Sequence, residues 1–261
     1  MARIKNDFLK LSGSMGGITF SQDDRGTIAK KQSEGPETLS EGTLNSNEEM
    51  GGASKAVKAF RLALNSKKRG YEDRYFMGRL SGKVRMIVGL GDGTPGQRKL
   101  DFRKNGDLLE VFEFFEVRPL VYSVGGIKDK PRFSEDRTEV CWISPTLIPK
   151  KQITAPEEAT HIKFILGAGT VSNYKYDVKK KGYTPIEPKF KNLGDFVESK
   201  PFALKQKTIA PVDLRIKLEA GGALPEEIAV ITMVGVSFMK EVNGELLAMK
   251  DVGAMRILGV G

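Results

Sequence analysis

Apolar and polar positions divide this chain into three regimes. From Leu11 to Gln32 the sequence "LSGSMGGITFSQDDRGTIAKKQ" alternates over short runs. It predicts strands at Gly17–Ser21 and Thr27–Lys31, with Asp23, Asp24 and Gly26 in the turn between them. Ser33–Glu49 then carries only Leu39 and Leu44 as large apolar side chains and reads as a linker or extended arm. An isolated hairpin is marginal in water, so one held on such a leash must dock on something. Ile18, Phe20 and Ile28 are the apolar groups with which it would do so, making residues 1–32 an assembly arm.

From Glu49 the period becomes helical. Met50, Ala53, Val57, Phe60 and Leu64 form one stripe, with Asn47 or Ser46 as N-cap and Gly70 as the stop. A second helix is expected from Glu72 to Val88, with Phe76, Leu80, Val84 and Ile87 inward. Gly78 and Gly82 cost it about 1 kcal/mol each relative to alanine unless they mark close helix packing. The pair makes a helical hairpin over residues 49–97.

After Arg98 the pattern becomes strand-like. Asn105–Gly106 and Asn243–Gly244 are the dipeptides that favour type I′ hairpin turns. Further strands are expected at Leu120–Val124, Thr138–Ile143, Thr160–Leu166, Val212–Leu218 and Ile228–Phe238. Leu214, Ile216 and Leu218 alternate with Arg215 and Lys217, as in a half-buried strand. The expected fold class is α+β: an N-terminal β-hairpin (1–32), a linker (33–48), a helical hairpin (49–97) and a mainly antiparallel β-sandwich (98–261).

Composition narrows the class without naming an activity. The 261 residues are 39% hydrophobic and 29% charged, as in a globular protein. One cysteine excludes an internal disulfide. The opening "MARIKNDFLKLSG" has no apolar core of a signal peptide, and "IAVITMVGVSFM" is too short to span a bilayer. Synthesis in the cytoplasm is therefore expected, with any extracellular role reached by lysis or inside a particle.

The net charge of +9 is unevenly placed. Residues 55–104 hold 14 Lys/Arg against 4 Asp/Glu, whereas residues 106–261 hold 22 against 21. Lys55, Lys58, Arg61, Arg79, Lys83 and Arg85 thus form a candidate basic face, interleaved with Tyr71, Tyr75 and Phe76. Such a face suits nucleic-acid phosphates or an acidic protein surface.

Candidate chemistry is sparse. "GLGDGTPGQ", Gly89 to Gln97, lies after a helix and before a strand, the reverse of a dinucleotide fingerprint, and reads as a flexible connection. His161 and Cys141 are single copies and do not make a zinc set. Cys141 beside Trp142 reads as core, and the Glu157–Glu158 and Glu226–Glu227 pairs as solvated surface. No catalytic, metal or cofactor residue is assigned, and no enzyme activity is expected.

The segments "LKLSGSMGGITF", "EEMGGASKAVKAFR", "GRLSGKVRMIVGLGDGTPGQRKL" and "LLEVFEFFE" resemble a group of uncharacterised proteins from Bacteroidota genomes and their phages. The likeness spans roughly residues 1–117. It implies a source and transfers no activity. The leading expectation is a structural subunit that joins copies of itself into a filament, tube or phage particle; the alternative is a nucleic-acid-binding protein using the basic helical hairpin.

Overall fold

The computed structural model describes residues 2–4, 11–23, 26–32, 38–64 and 71–261. The chain separates into two compact units, Met1–Glu41 and Gly42–Gly261. Asp24 of the expected turn, residues 33–37 of the expected linker and the expected helix stop at Gly70 lie outside the described residues.

The first unit is one antiparallel sheet. Strands β1 (Ala2–Ile4), β2 (Gly13–Met15), β3 (Ile18–Asp23) and β4 (Gly26–Lys31) lie in the order β1-β4-β3-β2. The expected hairpin is therefore the centre of a four-stranded sheet. Gly16 and Gly17, at φ +58° and +73°, make the β2–β3 turn, a conformation that side chains other than glycine's rarely adopt.

The second unit opens with α1 (Glu41–Ala63), which begins eight residues or two turns earlier than the expected Glu49. Neither Asn47 nor Ser46 caps it, since both are inside the helix. Its inward stripe runs through Ala53, Ala56, Val57 and Phe60 as the spacing requires, but Met50 is exposed and Glu49 takes the buried place. Helix α2 (Phe76–Gly89) starts after Asp73, whose Oδ1 accepts from the Tyr75 amide at 2.9 Å. Phe76, Leu80, Val84 and Ile87 are buried as expected. A Cβ built on Gly78 or Gly82 meets nothing within 4 Å, so these glycines do not mark close packing.

Two expected strands are helical instead. Asn105 and Gly106 have φ −124° and −73°, and a type I′ turn needs positive φ at both. The segment forms α3 (Phe102–Asn105) and a 3-10 turn, Gly106–Leu109, because the Asp101 carboxylate accepts the Arg103 and Lys104 amides at 3.1 Å and caps it. Leu120–Val124 likewise yields α4 (Leu120–Ser123), entered from Pro119. The later strands lie where the alternation puts them, and Asn243 and Gly244, at φ +53° and +83°, turn the chain between two of them.

A three-stranded sheet of β5 (Arg132–Phe133), β6 (Glu139–Ile143) and β12 (Asp213–Lys217) runs in the order β12-β6-β5. Helix α5 (Pro149–Gln152) follows β6. The large sheet has six antiparallel strands: β7 (His161–Ser172), β10 (Gly194–Glu198), β11 (Phe202–Ala203), β13 (Ile228–Val242), β14 (Glu245–Ala248) and β15 (Ala254–Val260). A separate hairpin joins β8 (Tyr174–Asp177) to β9 (Gly182–Pro185).

Both faces of the large sheet are apolar, and each serves a different core. Phe164 and Leu166 of β7, with Val230, Val234 and Phe238 of β13, pack with Trp142, Leu214 and Ile216 of the small sheet. Ile165, Val171, Ala229, Ile231 and Met233 lie on the other face with Val57, Phe60, Leu80 and Ile87 of the helices. The result is α+β, with a β-sandwich of unequal sheets whose outer large face is covered by α1 and α2. The regions 49–97 and 98–261, expected as separate domains, fall in one unit because neither face of the sheet can be left wet. No described helix is long and apolar enough to cross a membrane.

Candidate functional site

The three apolar residues expected on the arm do not share a face. Cross-strand register pairs Phe20 with Ala29 and Ile18 with Lys31, while Ile28 sits opposite Ser21 on the other side. Met15 pairs with Ile18 across β2 and joins its face. Met15 is 74% exposed and Ile18 40%, whereas Phe20 and Ile28 are half-buried. Among the described residues of this unit, the exposed apolar patch is thus Met15 with Ile18.

The six expected basic residues also divide. Lys55, Lys58 and Arg61 are exposed on α1, and Lys83 is exposed on α2. Arg79 is internal: it pairs with Asp73 at 2.7 Å, donates to the carbonyls of Glu113 and Phe114, and lies over the Phe112 ring. Arg85 donates to Ser46 Oγ at 2.8 Å and ties α2 to α1. Arg79 is structural, since its charge is already met by a half-buried partner.

Tertiary structure adds cations that regional counting diluted. Residues 175–191, "KYDVKKKGYTPIEPKFK", hold six lysines against Asp177 and Glu187. Lys55 Nζ donates to the Tyr183 carbonyl at 3.1 Å, which brings this segment beside α1. Thr170 Oγ1 donates to the carbonyls of Phe190 and Leu193, and Ser172 Oγ accepts from the Glu187 amide, clamping the segment onto the end of β7. Between it and α1 lies a cavity of about 190 Å³ whose lining includes Lys55, Lys58, Lys191, Tyr174 and Phe190. A local window over residues 175–191 is the signal that would have found it.

The remaining candidates are occupied by structural work. Asn173, 1% exposed, donates to Asp101 and Glu227 at 2.9 and 2.8 Å and accepts from the Phe102 amide at 2.7 Å. Lys99 bridges the same two carboxylates at 3.0 Å. Burial opposes the charge on Lys99, but hydrogen bonds and attraction from Glu227 and Asp101 hold its ammonium above the usual range. Glu227 is therefore a pin at the start of β13 and not solvated surface. The glycine loop is anchored at Gly96, its one buried residue: the Gly96 amide, and Arg98 just beyond the loop, reach the buried Glu49 carboxylate at 3.0 and 3.1 Å. The connection expected there thus also helps Arg98 to meet a buried charge.

Cys141 is half-exposed on the outer face of β6, while its neighbour Trp142 takes the core. Burial and Asp213, whose Oδ1 accepts from its Sγ at 3.4 Å, push the thiol pKa up, away from a nucleophilic thiolate. The hydrogen-bond partner of the His161 ring is Thr160 Oγ1, at 2.9 Å. Among the described residues no three His, Cys, Asp or Glu side chains are grouped to hold a metal. No protein-family model, curated protein or solved structure matches this chain.

Proposed function

We propose that the protein is a non-enzymatic structural subunit that joins copies of itself through its N-terminal sheet, in a filament, tube or phage particle. The observation that carries this reading is the Met15–Ile18 patch, exposed on a unit of only four short strands. Burying such side chains fully contributes about 1.5–3 kcal/mol each. A sheet this small gains most by docking one face on a partner. Identical subunits linked head to tail make a filament whenever the rotation between them does not close a ring.

The test uses the full chain with Met15→Glu and Ile18→Glu together. Size-exclusion chromatography with light scattering, and negative-stain imaging, should find assemblies for the wild type and a folded protein of lower mass for the variant. A wild-type monomer at micromolar concentration, or a variant that assembles unchanged, defeats the proposal.

A further inference from the structure

The cavity between α1 and the Pro185–Asn192 segment has features that the assembly reading does not use. Tyr174 lines it and is only 5% exposed. Burial alone pushes that phenol up to about 12, so it is a neutral donor near pH 7. A phenol in a cavity wall offers a ligand one donor and one acceptor.

Charge adds a second, independent constraint. Lys58 and Lys191 line the same cavity, and neither has an acidic partner among the described residues. Lys55 also lines it, with its ammonium on the Tyr183 carbonyl. Glu187 lines it as well, and its carboxylate is in no ion pair or hydrogen bond among the described residues. Inorganic phosphate would be drawn by the lysines but repelled by this carboxylate. A ligand that carries both an anion and N–H donors satisfies both groups.

Size and wall chemistry fix the remainder. About 190 Å³ is below the roughly 300–1,000 Å³ of pockets that enclose a drug-sized molecule. One flat ring can enter against Leu62 and Phe190, leaving its charged group at the lysine rim. We infer that this cavity binds a phosphorylated nucleobase bearing an exocyclic amino group, with the phosphate on Lys58 and Lys191, the amino group on Glu187 and the Tyr174 hydroxyl donating to the ligand. The same chemistry belongs to a free mononucleotide and to one nucleotide of a single strand.

Calorimetric titration of the full chain with AMP, UMP, inorganic phosphate and a ten-nucleotide oligodeoxyadenylate tests the assignment. AMP should bind at least about tenfold more tightly than phosphate, and more tightly than UMP, whose base lacks the amino group. Tyr174→Phe should weaken AMP about tenfold. The Lys58→Ala/Lys191→Ala variant alters only exposed side chains, and should weaken AMP and lower the slope of log affinity against log salt. Oligonucleotide binding well above that of AMP identifies a strand as the source; equal or weaker binding identifies the free nucleotide. Absence of AMP binding, phosphate binding as tightly as AMP, or a double-lysine variant that matches wild type overturns the inference. None of these outcomes depends on whether the protein assembles.

Discussion

The four-stranded sheet of residues 2–31 and the six-stranded sheet of the second unit are both antiparallel, yet among the described residues only the larger has buried apolar side chains on both faces. Strand β13 places Val230, Val234 and Phe238 in one core and Ala229, Ile231 and Met233 in the other. Strand β3 places Phe20 half-buried and Ile18 40% exposed. Strand propensity is similar in the two; what differs is how much apolar surface each can remove from water. One sheet buries its apolar side chains in two cores, and the other leaves Met15 exposed.

The sharpest way to break that comparison is to cut an aromatic ring from each sheet. Phe164 is fully buried between the Trp142 and Phe202 rings, with centroids 6.3 and 6.0 Å away. Phe164→Ala should cost about 3–5 kcal/mol, enough to lower the melting transition by many degrees in a thermal scan. Phe20→Ala should leave the melt of the second unit within about 0.5 kcal/mol of wild type. Equal destabilisation by both would mean that the two sheets share one stability.

A smaller effect separates adjacent glycines on α1. A Cβ on Gly52 would lie 2.6 Å from Tyr183 Cγ, whereas one on Gly51 meets nothing within 4 Å. Gly51→Ala should therefore stabilise by about 0.5–1 kcal/mol, measured by denaturant midpoint. Gly52→Ala should destabilise by about 1–3 kcal/mol, since the ring must move out of a packed core. Two changes of the same sign would show that α1 does not lie against β9 as described.

The smallest effect expected is electrostatic. Burial raises the Glu113 carboxyl above its ordinary value of 4.5, although the Leu120 amide and the Arg256 and Arg79 charges pull the other way. A raised folded pKa means that its contribution to stability is full below the unfolded value and is lost as pH rises through the folded one. Glu113→Gln removes that dependence while keeping an acceptor for Leu120. The melting temperature of the variant, relative to wild type, should be higher near neutrality than near pH 4. A difference that does not vary with pH over that range removes Glu113 from the account.

Much of the second unit follows from local pattern. The stripe of α1 from Ala53 onward, the inward face of α2, the alternation of Leu214 and Ile216, and the Asn243–Gly244 turn depend on residues close in sequence, and each stands where its spacing puts it. The basic site was only half legible. Lys55 and Lys58 show in a count over 55–104, but Lys191, Phe190 and Tyr174 come from a region whose total charge nearly cancels. Arg79 counts as surface charge in sequence and is an internal pin in the fold, because sequence does not place the Glu113 and Phe114 carbonyls beside it.

What the sequence by itself determined is periodicity: which stretches are helical or extended, and which side chains want to leave water. What only tertiary structure decided is who meets whom. Asn105–Gly106 has hairpin chemistry, yet the cap by Asp101 and the Asn173 bond to the Phe102 amide hold it helical. The cap is local, but the Asn173 bonds to Asp101 and Phe102 reach across 72 and 71 residues, a distance no local preference can sense. A turn dipeptide is worth a fraction of the hydrogen bonds and burial that compete with it, so a local cap and distant partners together settled its shape.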